Sequence, residues 1–166
     1  MKTLFARIVI ACAALGASSV AAAGSVEDPV RFGQPASERE TQQTLPQSHA
    51  PVWSTLRLAK VSEDTTRGVV TIVFPPDVRA LNGRTVTLSG FMMPLDAEER
   101  SRHFMLSRYT PVCFFCPPGQ PNEVVEVSVG RGVAVTDRML TVTGRLTMTD
   151  RAGNGLFFRL DQATAR

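Results

Sequence analysis

Histidine is scarce in this sequence, and the scarcity removes several chemistries. Only His49 and His103 are present. A closed structural zinc site takes four nitrogen or sulfur ligands, so a self-contained one lacks donors. A serine hydrolase needs a histidine base, and no nucleophile motif surrounds His103. There is no His-Glu-x-x-His pair and no glycine-rich phosphate loop. Lysine is nearly absent, with only Lys2 and Lys60, which reads as a habit of the genome rather than a function. Positive charge is not in real excess either. The formal net charge is +3, and Lys2 and Arg7 lie in an N-terminal segment that reads as removable. A near-balanced remainder gives no basic patch for nucleic acid. Beyond the N-terminus no apolar run is long enough to span a bilayer.

The first residues have the form of an export signal. Lys2 and Arg7 make a positive start, Ile8 to Val20 is apolar with small residues, and Ala21-Ala22-Ala23 supplies a small-x-small cleavage pattern. Residues 1–23 are therefore expected to be a signal peptide cleaved near Ala23, and the mature protein to be periplasmic. Val9-Ile10-Ala11-Cys12 also resembles a lipoprotein box, a subordinate alternative because Cys12 follows Arg7 too closely for a full apolar region. Residues 24–50 mix Pro29, Gly33, Pro35 and Pro46 with polar residues and few large apolar ones. That composition predicts a disordered linker, since little burial is available to offset the entropy of ordering. His49 falls in it.

From residue 51 onward the pattern is that of short strands. Val69 to Phe74 is a β-branched run ended by Pro75-Pro76. In Arg84 to Pro94, residues Val86, Leu88 and Gly90 alternate with Thr85, Thr87 and Ser89, the period of a half-buried strand. Gly90 in mid-strand predicts a bulge or bend. Arg102 to Tyr109, Glu123 to Val129, Met139 to Thr149 and Leu156 to Leu160 read as four more strands, with residues 130–138 as a connection. Phe104 and Leu106 share one strand face, and His103 and Met105 the other. Thr55 to Val61 reads equally as a helical turn or an edge strand. The expected fold is all-β: a small five-stranded Greek-key barrel of the OB type, with a small β-sandwich as the alternative.

The stretch that suggests chemistry is Thr110 to Asn122. It holds Cys113 and Cys116 at Cys-x-x-Cys spacing and four prolines, Pro111, Pro117, Pro118 and Pro121. Three readings stand. The first is a structural disulfide, since paired thiols of exported proteins usually join in an oxidising compartment. The second is a metal site for copper or zinc, in which Cys113 and Cys116 supply thiolates and His103 and Met105 further donors suited to a soft ion. The third is a thiol–disulfide oxidoreductase. Against it, Pro117-Pro118 would break a helix beginning at Cys113, and the chain lacks the strand–helix alternation of a thioredoxin fold. Gln120 and Asn122 are candidates for orienting a ligand or partner on the same loop.

Leu81-Asn-Gly-Arg-Thr-Val-Thr-Leu-Ser-Gly-Phe-Met-Met-Pro-Leu95, then Phe104-Met-Leu106, the Cys113 to Asn122 loop and Val142-Thr-Gly-Arg-Leu146 resemble an exported bacterial family of unknown function, DUF3299. The resemblance covers about residues 50 to 162. It implies an accessory role outside the cytoplasm, with a transporter-associated or other periplasmic protein as partner. Relatives with Cys-x-His in this loop imply metal ligation, an implication that reaches only Cys113 and Cys116 here. Together these observations give a soluble periplasmic binding or accessory protein rather than an enzyme, with metal handling, a stapled partner-binding loop and thiol exchange as its alternatives.

Overall fold

The computed structural model describes residues 36–64, 66–113 and 118–166. The expected signal segment, Cys12, the first part of the expected linker and Cys116 lie outside the described residues. In chain order the elements are helices α1 (Ala36–Gln43) and α2 (Pro51–Leu56), strands β1 (Lys60–Asp64) and β2 (Val69–Val73), and helix α3 (Pro76–Arg79). Strands β3 (Thr85–Pro94) and β4 (Arg100–Ser107) follow, then a single 3-10 turn (Pro121–Glu123), β5 (Val124–Ala134), β6 (Leu140–Met148) and β7 (Phe158–Ala165).

Five strands close into a barrel in the order β3-β4-β5-β7-β6, with β6 returning to β3. All neighbours are antiparallel except β5 and β7, which run parallel. The last strand is inserted between the third and fourth, as in a Greek-key barrel of the OB type. The alternation read from the sequence is the reason for closure. Val86 and Leu88, Phe104 and Leu106, Val125 and Val127, Leu140, Val142 and Leu146, and Phe158 and Leu160 all point into one apolar core. Burying them removes the apolar surface that drives folding.

Gly90 marks the corner at which β3 changes partner. Its backbone pairs with Leu140 of β6, and the next residue, Phe91, pairs with Ser107 of β4. A Cβ at Gly90 would lie 2.4 Å from the Ser107 carbonyl oxygen, so the approach of the two backbones requires glycine. The antiparallel β1–β2 pair forms a separate two-stranded sheet. It sends Val70 and Ile72 into the same core, joined by Trp53, Leu56 and Val78. Trp53 Nε1 donates to the Ser89 carbonyl at 2.8 Å, which fixes α2 against β3. Thr55 to Val61 thus divides between the end of α2 and the start of β1.

Two segments depart from the sequence expectation. β5 continues to Ala134, through residues expected to form a connection. The packed region also begins earlier than residue 51. Helix α1 and the strand-like pairing of Gln47 with Tyr109 lie within the stretch expected to be a linker. The reason is polar rather than apolar burial: Gln42 and Ser48 are both fully buried there. No helix among the described residues is long and apolar enough to cross a membrane.

Candidate functional site

The cysteine loop leaves the end of β4 at Ser107 and re-enters the barrel at β5 through the 3-10 turn. Its two stems are held together by side chains. The Gln42 amide donates from Nε2 to the carbonyls of Thr110 and Pro118, both at 2.9 Å. Ser107 Oγ donates to the same Pro118 carbonyl at 3.0 Å and accepts from the Tyr109 N–H at 3.1 Å. Outside this clamp, residues 46–48 run alongside residues 108–110. Ser48 N–H donates to the Arg108 carbonyl, and the Thr110 hydroxyl donates to the Pro46 carbonyl at 2.7 Å. The residues that composition marks as linker form the strap over the loop.

Beneath the loop lies a buried charge cluster. Glu123 closes the 3-10 turn, where its carboxylate accepts the Gln120 N–H at 3.1 Å in a reciprocal capping arrangement. Arg39 of α1 grips the same carboxylate through both terminal nitrogens, at 2.7 and 3.0 Å. Arg57 approaches at 3.2 Å and Arg108 at 3.8 Å. Arg39 and Arg108 also lie on the Tyr109 ring, 4.6 and 4.7 Å from its centroid, and Arg108 hydrogen-bonds the Tyr109 hydroxyl. Burial alone would pull the Arg39 guanidinium below its usual pKa. The hydrogen bond and charge of Glu123, with Tyr109, outweigh that and hold it above.

Cys113 is half-buried at the tip side of this clamp. Cys116 lies outside the described residues. Gln120 is engaged in the turn's capping. Asn122 Nδ2 donates to the carbonyls of Ala59 at 2.9 Å and Arg57 at 3.3 Å, tying the loop to the start of β1.

His103 and Met105 stand elsewhere. On β4, His103 lies four positions and Met105 two positions before Ser107 at the loop stem, about 13 and 7 Å of extended chain. His103 Nε2 is 2.6 Å from Glu126 Oε1 on β5. Arg159 of β7 donates to the other Glu126 oxygen from Nε and Nη2, at 3.3 and 3.2 Å. Partial burial would raise the Glu126 pKa. Its bonds to His103 and Arg159, and their charge, more than offset that and lower it. Met105 lies in the same cross-barrel row, paired with Met93 on one side and Glu126 on the other. Next along, Asp96 accepts the backbone N–H groups of Arg102 and His103, both at 3.1 Å. No cluster of three or more His, Cys, Asp or Glu suited to a metal ion occurs among the described residues.

The sequence pattern missed Arg39, Gln42 and Glu123, although the Gln-x-x-Glu spacing at Gln120 and Glu123 is a capping signal. A family model for proteins of unknown function, DUF3299, matches residues 34–155. The match begins at the α1 strap and ends beyond β6, so it spans loop, clamp and most of the barrel. Among solved structures, the chain is similar to a DUF3299 family protein from Pseudomonas aeruginosa PAO1. Sequence identity is 26%, the TM-score is 0.44, and the match covers 55% of this chain and 66% of that one. The chain thus spans just under two thirds of that protein's length. No curated protein matches the chain. The matched span takes in well over half of the sequence, and this chain belongs to the DUF3299 family.

Proposed function

We propose that this chain is an exported, periplasmic binding module. Its loop between β4 and β5, closed by a Cys113–Cys116 disulfide, is a preformed recognition edge for another periplasmic or transporter-associated protein. The observation that carries this reading is the double clamp by Gln42 on the Thr110 and Pro118 carbonyls, which holds both stems of the loop at once. Four prolines fix further backbone angles within it. A loop already held in one shape loses little entropy on binding, and that favours recognition. Two thiols at Cys-x-x-Cys spacing in an exported protein support a staple over a free thiolate. Lys2, Arg7, the apolar run to Val20 and Ala21-Ala22-Ala23 support export to a compartment in which such a bond persists.

A second reading, handling of copper or zinc, draws on the Met93–Met105 cross-strand pair beside His103, since thioethers suit copper(I). In that reading Cys113 and Cys116 bind the ion only after reduction. Thiol–disulfide exchange would likewise use the same bond in its opened form.

Native mass measurement of protein taken from the periplasm without chelators, with alkylation of free thiols, separates these readings. A metal-free mass two hydrogens light, with neither loop thiol alkylated, is the expected result. A bound ion released together with two alkylating thiols would replace the binding-module reading with metal handling. A mixture that moves with mild reductant would favour thiol exchange.

A further inference from the structure

The opposite ends of β4 and β5 hold a groove of about 660 Å³ that the cysteine loop does not reach. It opens where β5 and β7 part. These parallel strands pair at Glu126–Arg159, Val127–Leu160 and Val129–Ala163, and no later pair is present among the described residues. Both strands are irregular at that point. The β4–β5 register slips between Ser101 and His103, so residues 129–132 bulge from the ladder. The β6–β7 register slips between Thr143 and Arg145, and Gln162 takes φ +51° there. Two facing bulges, one with a non-glycine residue in the left-handed region, form a built opening rather than a frayed end.

The opening is also pinned. Arg100 Nη2 donates to the Gly132 carbonyl at 2.8 Å, and a Cβ on Gly132 would lie 2.6 Å from the Arg100 carbonyl oxygen. The floor is apolar, from Val133, Ala163 and Ala165, and no acidic side chain lines it. At the rim stands Arg131, exposed and without a hydrogen bond or ion pair among the described residues. Arg100 commits one of its five donors to Gly132, which leaves others for a ligand.

We infer that this groove binds the C-terminus of an extended peptide, with Arg131 and Arg100 receiving its carboxylate. Charge complementarity selects the carboxylate, since no acidic side chain among the described residues lines the groove beside the two guanidinium groups, and planar guanidinium pairs with carboxylate in a bidentate manner. The parted strands select an extended chain. Their facing edges have no partner in the ladder beyond Val129 and Ala163, the arrangement by which sheets accept an added strand. Small aliphatic side chains fit the floor of Val133, Ala163 and Ala165.

The test is a titration of the full-length mature protein, labelled with ¹⁵N, with three probes: acetyl-Ala-Val-Ala as the free acid, the same peptide amidated, and hexanoate. The amide signals of Gly130, Gly132 and Gln162 are expected to move saturably with the free acid. Binding should weaken at least tenfold with the amidated peptide, and again with hexanoate. Arg131→Gln, at an exposed position, should lose the same tenfold with an unchanged melting temperature. Equal binding of the amidated peptide, unchanged binding by the Arg131→Gln variant, or no saturable movement with the free acid would each overturn the inference. Hexanoate binding as tightly as the peptide would overturn the peptide assignment and leave a small-acid site.

Discussion

Arg39 and Glu123, 84 residues apart in sequence, meet as a two-pronged ion pair at the base of the cysteine loop. The carboxylate is almost wholly buried and satisfies three arginines and a backbone N–H at once. Removing one member of a buried pair leaves the others uncompensated, at a cost of about 3–5 kcal/mol. Glu123→Gln, which keeps the shape, should therefore destabilise the domain by about 3 kcal/mol in denaturant unfolding. Arg57→Ala should cost no more than about 1 kcal/mol, because that side chain is roughly half exposed and its pair is screened. Equal effects of the two changes would remove the buried-hub account.

The Glu126 carboxyl gives a pH dependence of defined sign. Its pKa in the folded protein is lowered from the ordinary 4.5: desolvation opposes the shift, and the bonds to His103 and Arg159 outweigh it. A depressed carboxyl stabilises the fold above its unfolded value and loses that contribution as pH falls through the folded value. Stability should therefore decline below about pH 4.5, and Glu126→Gln should flatten this acid limb by lowering stability at neutral pH more than in acid, where the parent carboxyl is protonated as well. Urea unfolding at a series of pH values from neutral to acid reads both. An acid limb of unchanged slope in Glu126→Gln would assign the loss to other carboxylates, of which Asp96, also lowered, is the first candidate.

At Gly90 the prediction is steric. An added Cβ meets the Ser107 carbonyl oxygen at 2.4 Å and Leu106 Cγ at 3.0 Å, and the first of these is backbone that does not yield cheaply. Gly90→Ala should cost about 2 kcal/mol, within the range for overpacking. Gly153→Ala, where nothing lies within 4 Å, should change stability by less than about 0.5 kcal/mol. Denaturant midpoints of the two variants supply the comparison.

The barrel was legible because its strands obey a period of two. Val86 and Leu88, Phe104 and Leu106, and Leu140 and Val142 are each buried as the alternation requires. The far half of β5 was not legible, since residues 130–138 read as a connection, whereas Gly130-Arg131-Gly132 form part of a bulge that continues the strand. Helix α1 was hidden for a different reason. Its sequence, Ala-Ser-Glu-Arg-Glu-Thr-Gln-Gln, has no apolar stripe, and it is anchored through Arg39 and Gln42 to groups more than sixty residues away. Local periodicity carries no information about such contacts. The loop itself announced its cysteines and prolines, but not the strap and charge cluster that brace it.

The bracing bears on what the cysteines contribute. If Cys113 and Cys116 staple a loop already clamped by Gln42, each serine substitution removes the same single bond. Closing so short a loop is worth roughly 2 kcal/mol in the chain-entropy account. Cys113→Ser, Cys116→Ser and the double variant should then all lose about 2 kcal/mol. The double loss should equal either single one, because the two changes share one interaction and are not additive. Reductant should bring the parent down to the level of the variants and leave the variants unmoved, while a chelator should move none of them. A metal site would give the reverse pattern: sensitivity of the parent to chelator and gain of stability with added copper or zinc, by mass action on the folded state. The barrel should stay folded in every case, since Gln42 and Ser107 still hold Pro118, and Arg39 still holds Glu123. Denaturant unfolding of the four proteins, with and without reductant and chelator, distinguishes the two patterns. Additive losses in the double variant would show that the cysteines act separately and are not joined to each other.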